Sequence, residues 1–206
     1  MRRVNLFNTV ALLMMGAMFT SCMSDDAEEA MYLSGQWTGN FGMFYNYEYR
    51  GEIYQFNSYD TDIVFYPDYQ YATRGYGEQV DYYYEGPYEK MCLRFYWEIN
   101  RGVIYLDYPR YPEYTTQIRD YSLTDASFRG YFVNGTNEFR LRKIAGYYDW
   151  GYYESYGDYY YWNNPNWSWG GYYYYGKTRS IDADDDAEND VEKGKIVGLG
   201  NRFTNK

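Results

Sequence analysis

The strongest constraint on the fold is the stretch 91–99, where large apolar side chains occupy every second position. Successive side chains of an extended chain point to opposite faces, so a period of two predicts a strand with one buried face. Asn100-Arg101-Gly102 and a second β-rich run, 103–108, follow and predict a hairpin. The predicted inner face holds Met91, Leu93, Phe95, Trp97 and Ile99, and the outer face holds Cys92, Arg94, Tyr96 and Glu98.

Similar short runs recur throughout residues 32–145, separated by turn-forming residues such as Ser58-Tyr59-Asp60, Pro67-Asp68 and Asn134-Gly135. No long stretch has the helical period. Short strands at regular spacing are typical of an antiparallel barrel or sandwich. We predict an all-β domain, a single small antiparallel up-and-down barrel of about eight strands, because closure removes exposed sheet edges. The further predicted strands are 36–45, 51–57, 62–66, 71–84, 116–123, 127–133 and 138–144.

The first residues predict export from the cytoplasm. Arg2 and Arg3 precede an apolar run, 10–19, that is shorter than the roughly 20 residues of a membrane-spanning helix. A basic start, a short apolar run and small residues before Cys22 are typical of a secretory signal. One interpretation is an ordinary signal peptide cleaved near Ala17, with Cys22 incidental.

The other interpretation comes from Phe19-Thr20-Ser21-Cys22, which resembles the lipobox of bacterial lipoproteins. This resemblance implies removal of residues 1–21 and lipid on Cys22, with the membrane as partner. Met23-Ser24-Asp25-Asp26 resembles a signal that sends lipoproteins to the outer membrane of Gram-negative bacteria, facing the cell surface. The alternative for this stretch is a solvated acidic tether, and both interpretations predict a flexible segment over residues 22–31.

Gly35-Gln36-Trp37 opens the first predicted strand, as a Gly-x-Trp does in lipocalin barrels. Residues 32–145 are similar to the lipocalin-like domains of bacterial surface lipoproteins, which share this order of strands. The resemblance implies that Trp37 closes the base of the barrel. It also implies that an arginine late in the barrel, Arg140 or Arg142, packs over that ring.

An aromatic-lined barrel predicts a small apolar or aromatic ligand in its mouth or interior. The alternative is that the same residues are plain core, since small barrels are often filled by their own side chains. The candidate ligand-binding residues are Trp37, Phe56, Phe65, Phe95, Trp97 and Phe132.

Composition changes abruptly after residue 145, and residues 146–206 are predicted to form a mostly disordered tail. Residues 146–176 are rich in Tyr, Trp and Gly and lack aliphatic side chains, so they cannot build a packed core. Rigid aromatic rings also suit contact with a glycan or a surface protein, which makes adhesion the functional alternative. The acidic run 180–190 resembles a calcium loop in spacing, but Ala187 and Lys193 replace its essential Gly and Glu.

Charge and residue usage narrow the chemistry. A net charge of −10 argues against a nucleic-acid partner. With no histidine and, after lipidation of Cys22, only Cys92, the chain lacks the usual nucleophilic and zinc-binding sets. We expect no cofactor, no metal and no enzymatic activity. The alternative is a carboxylate-based hydrolase using Glu98 and Asp107, although Glu98 is predicted to face solvent.

Overall fold

The structure, a computed structural model, describes residues 24–144, 160–163, 168–169, 172–173 and 194–204. Within these residues, one helix, α1, precedes a series of antiparallel strands, and one 3₁₀ turn, Pro112–Tyr114, interrupts them. The elements are α1 (Asp25–Leu33), β1 (Gly35–Asn40), β2 (Met43–Tyr49), β3 (Glu52–Pro67), β4 (Arg74–Tyr83), β5 (Tyr88–Asn100), β6 (Val103–Asp107), β7 (Thr116–Leu123), β8 (Ser127–Phe132), β9 (Phe139–Lys143), β10 (Tyr160–Asn163), β11 (Ser168–Trp169), β12 (Tyr172–Tyr173) and β13 (Lys195–Asn201).

Eight of these strands close into the antiparallel barrel that the sequence predicts. Their order around the wall is β1, β9, β8, β7, β6, β5, β4, β3, and β3 pairs again with β1. At the closing seam, Thr38 of β1 lies opposite Arg142 on one side and Asp62 on the other. Because both edges of β1 are paired, the wall of the barrel has no open edge there.

Two predicted strand boundaries are wrong. The turn predicted at Ser58-Tyr59-Asp60 is only a bulge within β3, and β3 runs unbroken along β4. Ser58 and Thr61 are buried, so pairing with β4 keeps this polar stretch extended despite its turn-forming composition. The predicted strand 36–45 instead breaks into β1 and β2 at Gly42, whose φ of 78° favours glycine.

The barrel interior follows the predicted alternation. All five residues assigned to the inner face of β5 lie in one core cluster, and the cluster includes residues from all eight strands of the wall. Phe41 packs edge-on against Phe132 at 4.8 Å, and Phe128 packs edge-on against Phe139 at 4.9 Å between ring centroids. The domain is therefore held together by a nearly continuous aromatic core.

The predicted flexible tether, residues 22–31, is wrong for most of its length because α1 begins at Asp25. The Ser24 hydroxyl caps the helix by accepting a hydrogen bond from the Ala27 amide. Ala27, Ala30 and Leu33 are buried against the end of the barrel. These three apolar residues lie at i, i+3 and i+6, so the acidic segment has one face that packs on the barrel. Its acidic composition does not predict this face.

Trp37 is fully buried beside the last residue of α1, and neither predicted arginine covers it. The Trp37 indole donates to the Leu33 carbonyl at 2.7 Å, and the Lys143 ammonium lies 5.0 Å from the ring centroid. Inward positions on β9 alternate as Phe139, Leu141 and Lys143, so Arg140 and Arg142 point outward and are exposed.

The end of the chain returns to the domain. β13 pairs with β2, and the Asn201 side-chain amide donates to the Phe41 carbonyl at 2.9 Å. This differs from the prediction that everything from residue 146 onward is a tail. Most of the predicted tail, including the acidic run 180–190, lies outside the described residues. Within the part of the chain that the structure describes, no helix is long and apolar enough to cross a membrane.

Candidate functional site: a groove on the outer face of β4 and β5

The six candidate ligand-binding residues are all buried in the barrel core. Phe65 brings two of them together, with its ring centroid 5.3 Å from Phe95 and 6.0 Å from Trp97. Trp37, Phe132 and Phe56 pack instead against other partners, namely Phe128, Phe41 and Tyr45. Each ring therefore has a structural role in the core, and ligand binding by this set stays a prediction.

Glycines on β4 make room for the largest of these rings. Gly75 and Gly77 lie directly opposite Trp97 and Phe95. A Cβ on Gly77 would stand 2.2 Å from Cζ of Phe95, so no larger residue fits beneath that ring. The Trp97 indole N–H is shared between the carbonyls of Tyr66 and Tyr76, at 3.2 and 3.0 Å. The inner face of β4 and β5 is consequently filled and hydrogen-bonded.

A row of tyrosines occupies the outer face of the same strands. Tyr66, Tyr76 and Tyr96 stand opposite one another on β3, β4 and β5. Tyr66 and Tyr76 stack at 4.9 Å, while Tyr76 and Tyr96 are 45% and 61% exposed. Residues opposite each other in antiparallel strands share a face, so the register assembles three distant tyrosines into one surface.

The next outward row carries a partly buried ion pair. The Glu78 carboxylate accepts from Nε of Arg94 at 3.0 Å, and the Glu78 side chain is 2% exposed against 36% for Arg94. Val64 completes this row on β3 and packs with Val80 and Cys92 in a small second apolar cluster. Cys92 is buried as expected, and burial raises the pKa of its thiol well above the ordinary value.

These two rows form the floor of a groove. β6 leaves β5 after Asp107, and the segment 109–111 stands away from the β5 strand to form the far wall. The groove encloses about 670 Å³, within the usual range for small-molecule sites. We call it the β4–β5 groove; its lining is Asp68, Tyr76, Gly77, Glu78, Leu93, Arg94, Phe95, Tyr96, Pro109, Arg110 and Tyr111.

The groove combines exposed ring faces with hydrogen-bonding charges. Tyr76 and Tyr96 offer flat apolar faces with wet tips, and Arg94, Arg110 and Glu78 supply donors and acceptors. The alternation along 91–99 predicts that Arg94 and Tyr96 lie on the outer face, but it predicts no site there. Tyrosine alternates with charged residues along the outer face of both β4 and β5. This pattern indicates a shared binding surface only when the strand register is known.

A separate polar cluster lies inside the barrel. The buried Asp81 carboxylate accepts from the Thr61 hydroxyl at 2.7 Å and from the Gln79 amide at 3.0 and 2.9 Å. The Gln79 carbonyl oxygen accepts from the Tyr108 hydroxyl at 2.6 Å. Burial raises the pKa of Asp81 from 3.8 to about 7, and the two hydrogen-bond donors partly oppose that rise.

The carboxylates considered for hydrolysis do not form a pair opposite one another. Glu98 stands opposite Tyr105, and Asp107 stands opposite Tyr96. Among the described residues, no group of three or more His, Cys, Asp and Glu side chains is arranged to hold a metal ion.

Comparison with known proteins adds no identification: no protein-family model, no curated protein and no solved structure matches this chain. The lipocalin resemblance therefore stays a prediction from Gly35, Trp37 and the order of strands. The β4–β5 groove has to be interpreted from its own chemistry.

Proposed function

We propose that this chain is a lipoprotein of a Gram-negative outer membrane that binds a glycan, without catalysis, in the β4–β5 groove. The anchor is supported by the basic start, the apolar run and Cys22 of the sequence. The ligand class is supported by one observation, the exposed tyrosine row beside the Glu78–Arg94 pair.

Sugar rings suit this surface for a physical reason. One face of a pyranose presents C–H groups that pack on a tyrosine ring, and its hydroxyls need donors and acceptors at the edge. The groove provides both kinds of contact within about 670 Å³. A purely apolar ligand would displace water from the Arg94 and Arg110 side chains without replacing the hydrogen bonds of that water, which is costly.

The ligand class is tested by screening the full chain on an array of neutral and acidic oligosaccharides and titrating each hit by calorimetry. Tyr96→Ala should weaken binding at least about tenfold, equivalent to about 1.4 kcal/mol. The matched control is Tyr131→Ala, an exposed tyrosine on β8, three strands away from β5 around the wall. Equal affinity in both variants, or no oligosaccharide hit, would contradict the proposal.

The anchor is tested by labelling cells with radioactive palmitate. Cys22→Ala should abolish incorporation, whereas Cys92→Ala, which removes the buried thiol, should leave it unchanged. Incorporation that survives Cys22→Ala would exclude lipidation of Cys22.

Two earlier hypotheses keep their own tests. A ligand inside the barrel predicts saturable enhancement of an apolar fluorescent probe that Phe95→Ala alters and Tyr96→Ala does not. Adhesion through the aromatic segment 146–176 is tested by Tyr-to-Ser substitutions at positions 172–175. Deletion of residues 146–206 is unsuitable because β13 belongs to the folded domain.

A further inference from the structure

The end of the barrel that carries α1 also collects three connections between strands. Antiparallel strands alternate in direction, so the starts of β1, β4, β6 and β8 meet there with the turn 68–73, the hairpin turn at Arg101-Gly102 and the turn 124–126. Cys22 lies only two residues before Ser24, the helix cap. We infer that this end of the barrel rests on the bilayer that holds the Cys22 lipid, with Tyr69 and Tyr71 placed among the phospholipid headgroups.

Only a short stretch of chain separates Cys22 from α1. The inference from this distance rests on the lipidation of Cys22 proposed above. Two residues of extended chain span at most about 7 Å. The interfacial layer of a bilayer is itself roughly 5–8 Å thick, from a total of 40–45 Å and a core of 30 Å. A lipid on Cys22 therefore keeps the start of α1 at the membrane surface.

Hydrogen bonds fix α1 to the barrel, so α1 does not hold the barrel away from the membrane. The Asp26 carboxylate accepts hydrogen bonds from the Arg101 and Gly102 amides, both at 2.9 Å. Glu29 accepts a hydrogen bond from the Tyr121 hydroxyl on β7. The helix is thus fastened to the β5–β6 turn and to strand β7, and the barrel follows the position of the helix.

The turn 68–73 displays two tyrosines outward. Tyr69 and Tyr71 are 65% and 53% exposed, while Ala72 between them and β4 is 2% exposed. The Ala72 amide donates to the Tyr69 carbonyl at 3.0 Å, and Tyr71 has a φ of 69°, a conformation that costs a non-glycine residue about 1 kcal/mol or more. The turn therefore holds both rings in solvent. Tyrosine is enriched in membrane proteins at the level of the lipid headgroups.

Charge at this end selects the kind of lipid surface. The exposed side chains of α1 are Asp25 and Glu28 in its first part and Met31 and Tyr32 in its last turn. Exposed Arg74 and Arg101 lie at the same end, so charges of both signs offset one another there and favour a surface without net charge, and Met31 and Tyr32 extend the apolar surface of the turn. The partner that fits is an uncharged, zwitterionic phospholipid layer.

The experiment uses the full lipidated chain in phosphatidylcholine vesicles, with a nitroxide label at Tyr69→Cys or at Ile53→Cys. Ile53, at the far end of β3, is 67% exposed against 65% for Tyr69, which makes it a matched control. Cys92 is buried and should not compete for label. We expect the label at position 69 to be several-fold less accessible to a water-soluble nickel chelate, and more accessible to oxygen, than the label at position 53.

The possible results separate the two proposals. Equal accessibility at both positions, in vesicles that carry the protein on flotation, would overturn the docking and leave the lipid anchor standing. Protein that does not float with vesicles would overturn the anchor and the docking together. Stronger protection of position 69 on phosphatidylglycerol than on phosphatidylcholine would overturn the choice of a zwitterionic surface.

Discussion

The two faces of β4 and β5 use the same aromatic richness in opposite ways. The inner face places Phe95 and Trp97 over glycines, with exposures of 1% and 2%. The outer face places Tyr76 and Tyr96 in a row that water reaches. The number of aromatic residues therefore does not predict binding. Only the rings that stay exposed once the core has formed are available to a ligand.

The largest expected effect lies on the inner face. Trp97→Ala should lower the free energy of unfolding by about 3–5 kcal/mol, because it opens a cavity and removes the donor shared by Tyr66 and Tyr76. Urea unfolding followed by circular dichroism measures the loss. A Trp97→Phe variant should lose less, and a loss below about 1 kcal/mol for Trp97→Ala would contradict tight packing here.

The ion pair at the floor of the groove should come next. Arg94→Met removes the guanidinium beside the buried Glu78 carboxylate and should cost about 2 kcal/mol, less than a fully buried pair because Arg94 is partly exposed. The control is Arg74→Met, whose pair with Asp68 is exposed on both sides and should cost at most about 0.5 kcal/mol. Equal losses would show that the burial of Glu78 is unimportant.

The polar cluster inside the barrel predicts a pH dependence. Because burial raises the pKa of Asp81 to about 7, the folded chain holds a proton between about pH 4 and 7 that the unfolded chain has released. The free energy of unfolding should therefore fall as pH rises through this window, by at most about 1.4 kcal/mol per pH unit from this group.

Urea titrations at several pH values check this slope. Asp81→Asn should remove the part that Asp81 contributes, whereas Asp62→Asn, on the outer face of β3, should leave it in place. A slope unchanged in Asp81→Asn would show that the carboxyl does not titrate in this window.

The smallest expected effect on stability lies on the outer face. Tyr96→Ala should change the free energy of unfolding by no more than about 0.5 kcal/mol, since its ring is 61% exposed. Tyr96→Ala should therefore lose oligosaccharide binding while keeping its free energy of unfolding. This combination distinguishes the outer face from the inner face. A loss of several kcal/mol would place Tyr96 in the core and contradict the comparison.

Much of the fold could be predicted from local patterns. Alternation and turn residues involve only a few neighbouring positions. They predict the inner face of β5, the hairpin at Asn100-Arg101-Gly102 and the closed barrel. The predictions failed where tertiary contacts outweighed composition. α1 has an acidic sequence but packs Ala27, Ala30 and Leu33 against the barrel, and Ser58 stays extended because β4 pairs with it.

The candidate site could not be predicted in the same way. Tyr66, Tyr76 and Tyr96 are ten and twenty positions apart in the sequence, and no local rule brings them together. The register of three strands and the departure of β6 from β5 create the β4–β5 groove. Sequence reasoning instead selected the rings that the core uses, because large apolar residues signal burial more strongly than they signal binding.

The β class and the faces of the central strands follow from the sequence alone, whereas export and a lipid on Cys22 stay predictions from the first residues. These depend on nearest neighbours and on the alternation of side chains along an extended chain. Only the tertiary structure decided that α1 closes the barrel end, that Lys143 rather than an arginine covers Trp37, and that β13 completes the sheet. Each of these depends on segments far apart in the chain, whose contacts form only when the barrel closes.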